Sequence, residues 1–174
     1  MNFTIRRAEK DEYEAVKNFY DEVIDRLEEF EYGPKWTKGV YPAYDYLKSS
    51  VELGDMYIGL LDGKIVSSMI VNGEANESYR NAKWGLDVDD GEYAVIHALG
   101  VMPGFTKNGL GKKMVQYAIS ICKDKYKSVR LDVLKGNLPA NRLYESVGFR
   151  MTDALPMFYE DTGWTDFELY EYVL

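Results

Sequence analysis

Apolar positions along this chain change rhythm segment by segment, and each rhythm predicts an element. Phe3 to Ala8 reads as a short first strand. From Glu9-Lys10-Asp11 the spacing turns helical: Tyr13, Val16, Phe19, Tyr20, Val23, Leu27 and Phe30 share one face, with acids and Lys between them. Gly33-Pro34, Gly39 and Pro42 prevent a regular helix through 32–46, and Ala43 to Leu53 predicts a second helix. Met56 to Leu61 and Lys64 to Asn72 are strands joined by Asp62-Gly63, a strong hairpin signal. Gly73 to Gly91 is polar, holds a lone Trp84 and ends in acids; it is long for a connection and reads as an insertion with a helical turn. Tyr93 to Val101 is almost wholly apolar between Gly91 and Pro103, the pattern of a buried strand. Leu110, Met114, Ala118, Ile121 and Cys122 make one helical stripe, and Val129, Leu131 and Val133 alternate along a strand from Ser128 to Leu134. A helix between those two strands favours parallel pairing. Leu138 to Ser146 predicts a short helix stopped by Gly148. The chain is extended from Phe149, with a last strand from Phe167 to Leu174. With no repeat, low-complexity tract or linker, residues 1–174 read as a single α/β domain.

Composition narrows the function. Hydrophobic residues make up 46% and charged residues 29%, ordinary for a globular protein. No apolar run is long enough to span a bilayer and the first residues carry no signal-peptide core, so no membrane partner is expected. The single Cys122 excludes an intrachain disulfide and fits a reducing compartment, so a cytoplasmic location is expected. No His/Cys cluster implies a metal. A net charge of −8 argues against nucleic acid as a partner. Charge is uneven, however. Thr106 to Gly136 holds eight Lys and Arg against Asp124 and Asp132, a local +6 that leaves −14 elsewhere. Such a segment suits a polyanionic ligand, and a solvated helix face explains it equally well.

The basic segment follows a turn with its own chemistry. Pro103-Gly104 ends the buried strand, and Asn108-Gly109-Leu110-Gly111 opens a helix. Amides at a helix start lack intrahelical partners and lie at the positive end of its dipole, a seat for phosphate oxygens. Glycines at 109 and 111 would let a ligand approach the backbone. Two phosphate motifs fail here. Gly104 to Gly109 has Walker spacing, but Leu110 stands where Lys belongs; Met114 occupies the last glycine of a G-x-G-x-x-G.

A third motif holds. The L-G-V-x-P run ending the strand, followed by Thr106, Lys107, Asn108, Gly109, Leu110 and Gly111, resembles the acetyl-CoA-binding signature of the GNAT superfamily of N-acetyltransferases. Thr106 departs from the usual Gln or Arg of Q/R-x-x-G-x-G/A. A second match is independent: Asn137, Ala140, Tyr144, Gly148 and Phe149 fill the superfamily's N-x-x-A-x-x-x-Y-x-x-x-G-F. The resemblance implies a mixed, mostly antiparallel, splayed sheet of six to seven strands flanked by about four helices. It implies acetyl-CoA as cofactor, its arm in the splay against Leu99, Gly100 and Val101, and its pyrophosphate on the turn from Thr106 or Lys107 to Lys112. Asn137 and Asn141 would hydrogen-bond the arm. Tyr144 would be the general acid, since a phenol is protonated at neutral pH.

The base is less defined. Relatives place Glu on the central strand where this chain has Val95; Glu92 lies earlier. His97 shares a strand face with Tyr93 and Val95, and an imidazole titrates near working pH, which makes it the candidate base beside its structural alternative. The aromatic run W-x-x-x-x-Y-P makes Trp36 and Tyr41 candidates for the acceptor wall, packing being the other explanation for those rings. The expected activity is direct acetyl transfer to a primary amine of a small molecule or peptide. A non-catalytic acyl-CoA-binding module and a nucleotide-phosphate binder are the rival readings, and oligomeric state, homodimer included, is open.

Overall fold

The computed structural model describes residues 2–174. The described residues form one seven-stranded sheet with four α-helices. β1 is Phe3–Arg7, followed by α1, Tyr13–Asp25, and α2, Tyr44–Leu53. β2, Met56–Leu61, and β3, Lys64–Asn72, make the expected hairpin, with Asp62 and Gly63 both at positive φ. β4 is Tyr93–Val101, α3 Leu110–Cys122, β5 Ser128–Leu134 and α4 Leu138–Val147. β6, Arg150–Tyr159, and β7, Gly163–Val173, close the chain as a hairpin. Strand order is β1-β2-β3-β4-β5-β7-β6, antiparallel except for the β4–β5 pair.

Successive strand residues face opposite sides, and both sides are covered. Met56, Ile58 and Ile70 pack with Val16, Phe19 and Tyr20 of α1 and Leu47 and Val51 of α2. Tyr57, Met69, Val71, Ala94 and Ile96 pack with Met114, Val115 and Ala118 of α3 and Tyr144 of α4. No helix among the described residues is long and apolar enough to cross a membrane.

The structure departs from the sequence reading at two ends. α1 stops at Asp25, and Phe30 is an exposed residue beyond it. Arg26 explains the stop: its guanidinium pairs with Glu29 and donates to the Pro103 carbonyl at 3.0 Å, pinning the helix end against the turn after β4. β7 starts at Gly163 rather than Phe167, because the early part of the hairpin leaves Phe158 and Trp164 exposed and so lacks an apolar alternation.

The feature that positions the site lies in the middle of the sheet. β4 and β5 pair only at Tyr93↔Ser128, Ala94↔Val129 and Val95↔Arg130. Past these residues the strands carry no ladder. A bulge helps aim β4 away: Ala98 has φ +49°, and the register with β3 shifts between Ser68 and Ile70. Left-handed backbone is costly for a residue with a Cβ. The buried Tyr20 hydroxyl donates to the Ala98 carbonyl at 2.8 Å and holds it there.

Candidate active site

One side of the gap is backbone. From Ile96 to Val101 the β5-facing edge of β4 has no strand partner. Thr106–Asn108 then makes a 3-10 turn, and Gly109, at φ +69°, leads into α3. The first helical bond of α3 runs from Lys113 N–H to Gly109 O at 3.1 Å, so the amides of Leu110, Gly111 and Lys112 precede it and have no helical partner. Thr106, Lys107, Asn108, Gly109 and Lys112 are exposed, and the space where a Gly109 side chain would stand is open. Gly111 has a different job from the one its spacing suggests. It is buried, and a Cβ there would meet Leu143 Cδ2 of α4 at 3.1 Å. Its lack of a side chain permits close packing of α3 on α4, and its amide stays among those without a helical partner. Gly100 likewise faces Phe19 and Trp36, both 3.5 Å from where its Cβ would be.

The other side is made of side chains. A cavity of about 120 Å³ opens at the splay, where Leu99 and His97 of β4 meet Tyr144 of α4, Trp36 and Tyr41 of the 32–43 loop, and Asp132 of β5. Asp132 was not singled out from the sequence. Its Oδ2 accepts hydrogen bonds from Tyr79 at 2.7 Å and Tyr159 at 2.9 Å. No hydrogen bond within the described residues engages Oδ1. Burial raises the carboxyl above its ordinary value, and the two phenols oppose that rise.

Tyr144 is buried edge-on against Phe149, ring centroids 5.7 Å apart, and its hydroxyl has no hydrogen-bond partner among the described residues. Burial lifts its pKa far above the ordinary phenol value, so it is a proton donor at any physiological pH. Tyr41 stacks edge-on to Tyr159 at 5.3 Å and lies 6.3 Å from Trp36, giving the cavity an aromatic wall.

His97 sits at the cavity in a state that its neighbours define. Its Nε2 lies 2.9 Å from Asn72 Oδ1. That oxygen already accepts the Glu74 N–H, while Asn72 Nδ2 donates to the Tyr46 hydroxyl, so the amide orientation is fixed. Facing an acceptor, Nε2 must carry the ring hydrogen, and the lone pair is on Nδ1. Burial lowers the imidazole to about 4, so it is neutral at pH 7 and weakly basic.

A comparison with known families decides what this arrangement belongs to. The description "Acetyltransferase (GNAT) family" matches residues 20–149, most of the chain and all of the splay. The chain belongs to the GNAT acetyltransferase family. As a GNAT member it is an acetyl-CoA-dependent acyltransferase. Relatives of this GNAT chain include N-alpha-acetyltransferase 60 of Xenopus tropicalis, 26% identical over 83% of this chain. This chain spans only 59% of that frog protein's length. An uncharacterized N-acetyltransferase of Archaeoglobus fulgidus is 27% identical over 86% of this chain and 95% of its own length. Among solved structures, a GNAT acetyltransferase from Streptococcus agalactiae superposes with TM-score 0.81 at 19% identity, covering 99% of this chain and 95% of the other. NAA60 of Arabidopsis thaliana, solved with acetyl-CoA, superposes at 0.68 with 18% identity, covering 99% and 100%. At these identities the superpositions speak for the fold.

Within this GNAT fold, His97, Leu99, Asn137, Tyr144, Trp36 and Tyr41 meet at one cavity. Three other sequence readings change. Glu92 is not in the cavity; Lys127 and the Asp89 amide bind its carboxylate and hold its pKa down. Asn137 spends its oxygen capping α4, accepting the Ala140 N–H, and keeps its Nδ2 free. Asn141 faces β7, where its Nδ2 donates to Glu168, and its buried Oδ1 has no partner among the described residues. Asp132 escaped notice because it reads as the solvent face of an alternating strand. The available signal was its place in a central strand, where both faces are covered and an acid needs a reason.

Proposed function

We propose that this GNAT member transfers acetyl from acetyl-CoA directly to a primary amine that arrives as a cation, on a small molecule or peptide, with Asp132 as base and Tyr144 as acid. One observation carries the reading: Asp132, with one carboxylate oxygen unbonded, and Tyr144, with its hydroxyl unbonded, share the cavity where β4 and β5 part.

The residues fit the cofactor. The amides of Leu110 to Lys112, the open space at Gly109 and the exposed Lys107 and Lys112 suit a diphosphate. The unpaired β4 edge at Leu99 and Val101 offers sheet-like bonds to an extended arm. Asn137 Nδ2, at the cavity, supplies one donor beside it. When bound, acetyl-CoA supplies an activated thioester carbonyl.

The protein's part is proton handling and exclusion of water. Asp132 Oδ1 holds the ammonium against the rings of Trp36, Tyr41 and Tyr159 and takes one of its protons. Burial acts oppositely on the two candidate bases: it strengthens a carboxylate and weakens an imidazole. Asp132 also attracts the cation, which neutral His97 does not. This reading moves the base from His97 to Asp132 and leaves His97 as a fixed neutral wall. As the C–N bond forms and the C–S bond breaks, Tyr144 Oη would give its proton to the departing sulfur and regain one from the nitrogen, which has a second proton to lose. A mass-spectrometric screen of amines, amino acids, polyamines and peptides with acetyl-CoA tests the proposal. Turnover of cationic amines that is lost in Asp132→Asn supports it. CoA binding without turnover on any acceptor would leave the non-catalytic module standing.

A further inference from the structure

The polar excursion between β3 and β4 has no part in the activity so far. It is docked too firmly for a passive loop. Asn76 caps its 3-10 turn, Glu77–Asn81, and its Nδ2 donates to the Phe158 carbonyl of β6 at 2.9 Å. Trp84 lies between Tyr79, ring centroids 5.0 Å apart, and the Arg130 guanidinium at 4.3 Å, and its Nε1 donates to the Tyr79 carbonyl. Arg130 of β5 donates to the Leu86 carbonyl at 2.8 Å and pairs at 2.9 Å with the buried Glu171 of β7. The other Glu171 oxygen accepts the Leu86 N–H. Gly85 passes so close that a Cβ would lie 2.9 Å from that oxygen. Both partners of a buried ion pair thus also hold the excursion's backbone, which satisfies their remaining hydrogen-bonding capacity.

Everything so fastened converges on Tyr79, itself 3% exposed, with its hydroxyl on Asp132 Oδ2. We propose that residues 73–91 form an arm that delivers the Tyr79 hydroxyl to Asp132, making Tyr79 a positioning residue for the proton transfer. The inference rests on Asp132 being the base. Two phenols on one oxygen fix the carboxyl plane and leave the other oxygen to the acceptor. Tyr159 alone, from β6, would leave the carboxyl free to turn. The phenols also stabilise the anion and so set the pH at which the base becomes available. The other titratable groups around the cavity are Tyr41, Tyr144, His97, Asp161 and the exposed Lys35, and none hydrogen-bonds Asp132.

The test is Tyr79→Phe, which keeps the ring and removes only the donor. Two quantities are measured on the whole protein: the ¹³C-carboxyl titration of Asp132, its resonance identified by loss in Asp132→Asn, and the acid limb of kcat/KM. Losing a hydrogen bond to a charged group should move both upward by about one pH unit, with acetyl-CoA affinity unchanged. A role in packing alone would lower activity equally at every pH. A carboxyl midpoint that does not move overturns the inference and leaves the base assignment intact. A midpoint that rises while the limb stays fixed overturns the base assignment, and with it the positioning role.

Discussion

The two sides of the cleft are built from different material. The side proposed for the acetyl donor is main chain: one strand edge, one glycine turn and one helix start, contiguous from Ile96 to Lys112. The side proposed for the acceptor is side chains from the 32–43 loop, the 73–91 arm, β5, α4 and β6. A backbone site needs glycines and a fixed order, so it survives many surrounding sequences. A side-chain site needs distant segments to meet, so each member of a fold can assemble its own.

The comparison predicts separable defects. Asp132→Asn, isosteric but unable to take a proton, should lower kcat/KM by about 10³-fold with acetyl-CoA affinity unchanged, measured by steady-state kinetics and calorimetry. A parallel loss of CoA binding would break the division between the two sides. Tyr144→Phe removes the acid and should lower kcat by about 10²-fold, again sparing CoA affinity.

On the proposed reading, His97 marks the acceptor side through the pH dependence of stability and not through proton transfer. Its folded pKa, about 4, lies below its ordinary value of 6.5. Between those values the unfolded chain binds the proton and the folded one does not, so stability falls as pH drops from 6.5 toward 4. Urea unfolding at pH 7 and pH 5 should differ by about 2 kcal/mol from this group, a difference missing in His97→Asn. The acid limb of kcat/KM should not move in that variant.

The donor side should respond to glycine changes in two distinct ways. Gly109→Ala strains a left-handed residue by about 1 kcal/mol and should raise KM for acetyl-CoA about fivefold, leaving the acceptor KM alone. Gly111→Val pushes into Leu143 and should instead cost about 1 kcal/mol of stability, read as a Tm lowered by a few degrees.

Sequence served the two sides unequally, for the same physical reason. β2, β3, β4 and β5 fall at the residues their apolar runs predicted, because strand bounds are set locally by Asp62-Gly63, Gly91 and Pro103. The glycine turn and the Asn137-to-Phe149 motif are local too. The end of α1 was not legible, since Arg26 stops the helix through a bond to Pro103, far along the chain. Asp132 was missed for a similar reason: Tyr79 and Tyr159, which make it a site, lie 53 and 27 residues away. Trp36 and Tyr41 could be singled out because they are aromatic and adjacent to turns, although nothing local said which cavity they faced.

A crystal structure with CoA and a cationic amine would show directly whether the gap between β4 and β5 holds both. The thiol arm should lie between β4 beyond Val95 and β5 beyond Arg130, with the sulfur within hydrogen-bond reach of Tyr144 Oη and the amine on Asp132 Oδ1. A thiol arm lying outside that gap, or an amine bound away from Asp132 with the cavity closed, would contradict this placement.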